Sequence, residues 1–156
     1  MLIFIFMSAA QGSDGRTIII GDVHGCYDEL VALLENLSFD VEKDKVVFVG
    51  DLIGKGPESK KVIQYAIDLD APSVRGNHED VLIQYYRSEM LKEEGVDCPS
   101  LKPSYIAIAE SFTPEQWKYL LDMPIYLRLP EINALVVHAG VLPNVELDKQ
   151  VRCFVY

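Results

Sequence analysis

The chain has 156 residues, of which 49% are hydrophobic and 24% charged, the composition of a single soluble globular domain. Its 14 basic and 24 acidic residues give a formal net charge of −10, so general binding to nucleic acid or to an anionic membrane is not expected. Three widely spaced cysteines without a C-x-x-C pair do not form a disulfide or zinc-knuckle pattern, which favours a reducing compartment.

The first 16 residues differ from the rest of the chain. The apolar run Met1–Met7 is far too short to span a membrane and lacks the basic start of a secretory signal. We expect an apolar or flexible segment over residues 1–16 and one domain over residues 17–156. A cytoplasmic location is favoured, and a secretory or vacuolar one would follow if the run acts as a signal.

Strand and helix patterns alternate along the domain. The apolar runs Thr17–Ile20 and Val46–Val49, each followed by Gly-Asp, predict buried strands, and Pro72–Arg75 predicts a short third strand. Apolar residues at helical spacing predict three helices, over Asp28–Leu37, Glu58–Leu69 and Glu79–Glu94.

The second half begins with a predicted loop over Gly95–Pro103, which contains two prolines. Thr113–Gln116 has an N-cap threonine, a proline in the first turn and a glutamine that closes a capping box, so a helix should start there. Ile125–Leu129 and Ala134–His138 predict a hairpin. The order of elements predicts an α/β layered domain.

Four short segments with chemically active side chains follow predicted strands: GDVHG at 21–25, GD at 50–51, GNHE at 76–79 and HAG at 138–140. The segments contain all three histidines of the chain, and loops at strand ends converge on a ligand crevice in α/β sheets. Carboxylate, imidazole and amide ligands together suit manganese, iron or zinc better than calcium. The candidate ligands are Asp22, His24, Asp51, Asn77 and His138.

The ordered motifs GDVHG, GDLIGKGP, RGNHE and HAG resemble the signature of the calcineurin-like metallophosphoesterases, in their phosphoprotein-phosphatase branch. Lys55 stands where protein phosphatases have an arginine, and this lysine together with HAGVLPNVELDKQ is similar to the ApaH-like phosphatases. Relatives in that group include symmetrical diadenosine tetraphosphate hydrolases, endopolyphosphatases and mRNA-decapping enzymes. The resemblance implies a β-sandwich flanked by helices.

The resemblance also implies roles for individual residues. Asp22 and His24 would hold a first divalent metal ion, Asp51 would bridge, and Asn77 and His138 would hold a second. Water activated by both metals would attack phosphorus, and His78 would act as general acid. Lys55 and Arg75 are candidates to bind substrate phosphate, although a structural ion pair is an equally good interpretation of Arg75. Glu79 is expected to support the start of its helix.

Two departures from the family pattern leave alternatives open. Gly54 stands where protein phosphatases have the aspartate that orients the catalytic histidine, which disfavours a protein serine/threonine phosphatase. The family supplies a further histidine ligand after HAG, and this chain has none, so a C-terminally truncated and catalytically inactive form with a binding or regulatory role is an alternative. Such a form would expose a sheet edge and could self-associate.

The leading hypothesis is therefore a metal-dependent hydrolase of phosphoric esters or phosphoanhydrides. Its expected substrates are dinucleotide polyphosphates, polyphosphate or capped RNA.

Overall fold

The computed structural model describes residues 5–9, 15–92, 94–95 and 99–150, with the backbone alone for residues 5–9. Its helices are α1 (Tyr27–Asn36), α2 (Ser59–Asp68), α3 (Asn77–Tyr85), α4 (Pro103–Ser111) and α5 (Pro114–Asp122). A π-helical turn, Tyr86–Met90, extends α3, and short 3-10 turns lie at Pro130–Ile132 and Leu147–Lys149. In this part of the chain, no helix combines the length and hydropathy needed to span a bilayer.

Within the described residues, five strands form two sheets. In the first, β1 (Ile5–Ala9) pairs antiparallel with β2 (Arg16–Ile20), which pairs in parallel with β3 (Lys45–Phe48). The third predicted strand, Pro72–Arg75, pairs with β3 only through an isolated parallel bridge between Phe48 and Ser73. The second sheet is the predicted hairpin, β4 (Tyr126–Leu129) and β5 (Ala134–Val137).

Alternating side chains of β2 and β3 build two hydrophobic layers. Ile18, Ile20, Val46 and Phe48 face the helices in the larger core. On the opposite face of the sheet, the smaller core contains Val47, Val74, Leu129 and Val136, with Ile19 packed against it. The sheet is thus covered by helices on one face and by the hairpin on the other, which confirms the predicted layered fold.

Three features differ from the sequence predictions. Residues Ile5–Ala9, inside the N-terminal segment 1–16, form a strand that had not been predicted. Helix α4, which begins at the last residue of the predicted loop, had not been predicted, because Ile106 and Ile108 alternate with alanines in a period typical of a strand. Helix α3 begins at Asn77, two residues before the predicted start, and becomes a π turn at Tyr86. Two of the three cysteines lie outside the described residues: Cys98, and Cys153 within the last residues 151–156.

Arg16 joins the start of β2 to two neighbouring elements. Its guanidinium binds the carboxylate of Asp44, which precedes β3, and donates to the carbonyls of Leu37 and Ser38 at 3.0 and 3.1 Å, where α1 ends. A cation at this position satisfies carbonyls that have no partner within the helix. The hydrogen bond from Arg16 holds the pKa of the buried Asp44 carboxyl well below its ordinary value.

We expect Asp44→Asn to lower the free energy of unfolding by about 1–3 kcal/mol at pH 7, because it removes charge-assisted hydrogen bonds. The folded-state pKa of Asp44 lies below the unfolded value, so its contribution is complete above about pH 4 and is lost as the pH falls through the folded pKa. Urea denaturation of both proteins between pH 7 and pH 2.5 should show the difference shrink toward acid pH.

Asp68→Asn is the matched control, since Asp68 is exposed near the end of α2. This variant should stay within about 0.5 kcal/mol of the parent protein. A gap between Asp44→Asn and the parent that is equal at pH 7 and pH 2.5 would contradict the proposed ionic contact.

Candidate metal centre

Polar side chains converge at the carboxyl ends of β2, β3 and β5. The Oδ2 atom of Asp51 lies 3.8 Å from His24 Nε2, 3.8 Å from His78 Nε2 and 3.6 Å from His138 Nε2. Asp22 Oδ2 is 3.5 Å from His24 Nε2, and Asn77 Oδ1 is 3.2 Å from His138 Nε2. The structure therefore brings all five residues predicted as ligands together, with Asp51 in the centre.

The other carboxylate oxygen of Asp51 is held by a helix. Its Oδ1 atom accepts a hydrogen bond of 3.1 Å from the backbone N–H of His78, in the first turn of α3. The positive end of the helix dipole also favours a negative charge here. Gly76 permits this approach, since a Cβ atom at residue 76 would lie 2.3 Å from Asp51 Oδ1 and 2.4 Å from Asp51 N. Oδ2 is thereby left to face the histidines.

Glu79 fixes the backbone around Asp51. Its fully buried carboxylate accepts hydrogen bonds from the N–H groups of Asp51, Leu52, Ile53 and Gly76, at 2.8–3.1 Å. Asp51 has φ +53°, a left-handed backbone conformation that residues other than glycine seldom adopt. The hydrogen bonds to Glu79 stabilise the loop in this conformation. Burial raises the pKa of Glu79 to about 7, while the N–H donors favour its ionised form.

Two of the imidazoles have defined tautomers. Nδ1 of His24 donates to the carbonyl of Ile53 at 3.1 Å, and Nδ1 of His138 donates to the carbonyl of Val49 at 2.7 Å. Because a carbonyl only accepts, the neutral ring has its lone pair on Nε2, the atom that faces the cluster. Both lone pairs thus face carboxylate or amide oxygens, which are acceptors as well, and a cation stabilises such an arrangement. Beside His24 the ammonium group of Lys55 is one such cation.

The spacing of these atoms fits metal coordination. Two ligand atoms that each lie about 2.1 Å from a tetrahedral ion are about 3.4 Å apart, and the separations from Asn77, Asp22 and Asp51 to the histidines run from 3.2 to 3.8 Å. Two sets of three residues have ligand atoms within 4.8 Å of one another and share Asp51: His24, Asp51 and His78, and Asp22, Asp51 and His138. The donor set therefore fits divalent cations, and Asp51 belongs to both sets.

The structure separates the two predicted phosphate-binding residues. Lys55 reaches the cluster, where its Nζ atom donates to His24 Nε2 at 2.9 Å. Arg75 does not: its buried guanidinium faces Asp80 at 3.4 Å and donates to the carbonyl of Met123 at 3.1 Å. The contacts of Arg75 favour the structural ion pair over the phosphate-binding role, because its charge is turned toward α5 and away from Asp51.

His78 has an additional partner that the sequence did not suggest. Its Nδ1 atom shares a hydrogen bond with the hydroxyl of Tyr105, on α4, while its Nε2 atom faces Asp51. Partial burial lowers the pKa of His78, and burial raises that of Tyr105, whose hydroxyl therefore stays neutral. Glu79 and Tyr105 are the two site residues whose contacts sequence reasoning missed; only the position of Glu79 in the helix start offered a signal.

A cleft of about 980 Å³ opens beside His78, between α2, α3 and α4. Its walls combine apolar side chains such as Val81, Leu101 and Ile108 with three lysines, Lys55, Lys60 and Lys102. Within a chain of net charge −10, this is a local concentration of positive charge next to the candidate metal ligands. The cleft therefore suits an anionic ligand with an apolar portion.

Comparison with known proteins defines the class. The profile of the calcineurin-like phosphoesterases matches residues 15–150, and the chain belongs to this family. Both the layered fold and the donor set agree with that membership.

More particular relatives are similar over most of the chain. It is 38% identical over 130 residues to a symmetrical bis(5'-nucleosyl)-tetraphosphatase of Psychromonas ingrahamii and 33% identical over 141 residues to that of Photorhabdus laumondii subsp. laumondii. These alignments cover 82% and 88% of this chain and 45% and 48% of the relatives, so the chain spans about half their length. A solved structure described as a candidate diadenosine tetraphosphatase superposes with a TM-score of 0.77 at 35% identity, covering 92% of this chain and 59% of that one.

We expect Glu79→Gln to lower the free energy of unfolding by about 2–4 kcal/mol, because the amide NH₂ group cannot accept from the N–H groups that one carboxylate oxygen now binds. Displacement of Asp51 should also weaken Mn²⁺ binding by about 10- to 100-fold. Urea denaturation and calorimetric titration with Mn²⁺ measure the two effects.

Glu35→Gln, an exposed change on α1, is the control for both measurements. It should leave stability and Mn²⁺ affinity near the parent values. Parent-like stability of Glu79→Gln would show that the four N–H contacts contribute little.

Proposed function

We propose that this chain is the metal-binding part of a hydrolase that cleaves phosphoanhydride bonds in dinucleoside polyphosphates. The observation that supports this most directly is the shared Asp51 carboxylate between two sets of ligands. Enzymes that displace at phosphorus often use two metal ions about 3.5–4 Å apart, which clamp the attacking and leaving oxygens. The names of the relatives favour the tetraphosphate class of substrate.

In the proposed ligand assignment, Asp22 and His24 would hold one ion, Asn77 and His138 the other, and Asp51 would contact both. The 3.5 Å between Asp22 Oδ2 and His24 Nε2 and the 3.2 Å between Asn77 Oδ1 and His138 Nε2 support this pairing. Manganese, iron and zinc suit this set of carboxylate, imidazole and amide donors. When bound, the ions would polarise the phosphoryl oxygens and activate water. The hydrogen bonds from His24 to Ile53 and from His138 to Val49 would keep the two Nε2 atoms in position to hold the ions.

His78 is the proposed general acid. Its Nε2 atom points into the cluster but its imidazole is also bordered by the cleft, so it can reach an oxygen that leaves toward the cleft. A leaving oxygen that receives a proton carries less charge, which lowers the barrier. Lys55, at the rim of both the cluster and the cleft, would bind a phosphate oxygen as a point charge.

The cleft is the proposed place for the nucleoside end of the substrate. Lysines would face its phosphates, and the apolar wall of Val81, Leu101 and Ile108 would contact its base or ribose. Polyphosphate and capped RNA share the phosphate chemistry and are therefore comparison substrates. A protein serine/threonine phosphatase is the less favoured assignment, because Gly54 and Lys55 stand where those enzymes have an aspartate and an arginine, and because the similar curated proteins are named for a nucleotide substrate.

The test is an assay of the purified chain with Mn²⁺ against diadenosine tetraphosphate, 4-nitrophenyl phosphate and a phosphoserine peptide, with elemental analysis of the same sample. Two ions per chain and preferred turnover of the tetraphosphate would support the proposal. Bound metal without turnover of any substrate would defeat it and favour the inactive binding form, and preference for the peptide would favour the protein phosphatase.

We expect His78→Asn to retain both metal ions yet lower kcat on phenyl phosphate by about 100-fold, because a poor leaving group needs a proton from the general acid. The fall in kcat on 4-nitrophenyl phosphate, whose leaving group is stable as an anion, should be smaller. His24→Asn is the matched comparison and should reduce bound metal itself. Metal loss in His78→Asn as large as in His24→Asn would identify His78 as a ligand.

We expect Lys102→Glu to raise the KM for diadenosine tetraphosphate by about three- to tenfold with little change in kcat, because it reverses one charge on the cleft wall. Lys45→Glu makes the same change at the start of β3, the end of the strand away from Asp51, and should have no effect. Steady-state kinetics of the two variants measure this. Equal KM values for Lys102→Glu and Lys45→Glu would place the nucleotide outside the cleft.

A further inference from the structure

Tyr105 contacts His78 at the ring nitrogen that does not face Asp51. The phenol hydroxyl and Nδ1 share a hydrogen bond, and the two ring centroids are 5.7 Å apart at 42°. The opposite nitrogen, Nε2, lies 3.8 Å from Asp51 Oδ2. An imidazole that is held at Nδ1 in this way has only its Nε2 atom available to a substrate.

Gly54 leaves the space in which this contact forms. A Cβ atom at residue 54 would lie 2.4 Å from His78 Nδ1 and 2.8 Å from the hydroxyl oxygen of Tyr105. Gly54 also has φ +114°, a conformation that strains any other residue. No side chain at this position of the loop can therefore stand between the histidine and the tyrosine.

Tyr105 is itself well anchored. Its ring is half-buried and packs against the large core beside Leu101 and Ile108. Pro103 at the start of α4 fixes the backbone conformation at that end of the helix. The hydroxyl thus has a defined position relative to His78, although α3 and α4 are joined by a long connection.

A hydroxyl group can pair with Nδ1 in either tautomer of the ring. It donates to Nδ1 when that atom carries the lone pair, and it accepts from Nδ1–H when that atom carries the hydrogen. A carboxylate could only accept. The contact therefore orients the His78 ring in both tautomers.

We propose that Tyr105 is a positioning residue for the proton transfer by His78, and that it aims Nε2 at the oxygen that leaves phosphorus. This inference rests on the proposed function, since it needs His78 as the general acid. Tyr105 touches neither Asp51 nor any of the other proposed ligands in the hydrogen bonds of the described residues, so its removal should leave metal binding intact.

Tyr105→Phe removes the hydroxyl and keeps the ring. We expect kcat on phenyl phosphate to fall by about tenfold, a fraction of the full general-acid effect, with KM within twofold. On 4-nitrophenyl phosphate the change should stay within about twofold, because that leaving group departs without a proton. Tyr119→Phe is the control: its hydroxyl donates to the Ala71 carbonyl, in α5 and away from the site, and both substrates should respond alike.

A double-mutant cycle separates positioning from a structural role. In the His78→Asn background, Tyr105→Phe should have no further effect on phenyl phosphate, because the group that it positions is gone. Equal losses on both aryl phosphates, or an undiminished loss in that background, would overturn the proposal.

A spectroscopic measurement keeps the inference testable in a chain without turnover. The ¹⁵N resonance of His78 Nδ1 in the metal-free protein reports its hydrogen bond, and we expect it to move by several ppm in Tyr105→Phe and to stay in place in Tyr119→Phe. An unchanged resonance would refute the contact. If no substrate is hydrolysed while the resonance moves, the proposed function fails and the contact between Tyr105 and His78 stands.

Discussion

The hydrogen bonds from four backbone N–H groups to the Glu79 carboxylate are the constraint on which the site depends. Glu79 is the third residue of α3, yet three of its four partners are in the loop after β3. A buried carboxylate without these donors would be costly, and the loop without Glu79 would have three N–H groups to satisfy elsewhere. The Glu79 carboxylate and the N–H groups of the loop therefore stabilise each other, and they fix the position of α3 relative to that loop.

That position determines what Asp51 can do. One oxygen of its carboxylate is taken by the N–H of His78, and the other lies among three imidazole nitrogens. The left-handed backbone of Asp51 and the absence of a side chain at Gly76 are the local requirements for this geometry. A carboxylate surrounded by imidazole nitrogens and further oxygens favours divalent cations, and the fold supplies that carboxylate from a nearly fully buried position.

Helix α4 connects this centre with the cleft. Tyr105 contacts His78 from α4, while Ile108 on the same helix and Lys102, the residue that precedes this helix, line the cleft. Substrate binding along α4 would therefore act on the element that orients the proposed general acid. The proposed ligand set agrees with the family membership of the chain, whereas the contact between Tyr105 and His78 depends on the position of α4, which packs against α2.

The sequence by itself determined the parts that depend on local patterns. Apolar runs located β2 and β3, and apolar residues at helical spacing located α1 and α2, each to within one residue. The capping box at Thr113 marked α5, and glycine-flanked polar residues at strand ends identified the five candidate ligands.

Only the tertiary structure decided contacts between residues far apart in the chain. Glu79 binds a loop 26–28 residues earlier, and Tyr105 meets His78 across 27 residues. Arg75 contacts Asp80 and the end of α5, although its position next to Gly76 in the sequence suggested a role in phosphate binding. Such contacts follow from how the elements pack, which a local pattern does not encode.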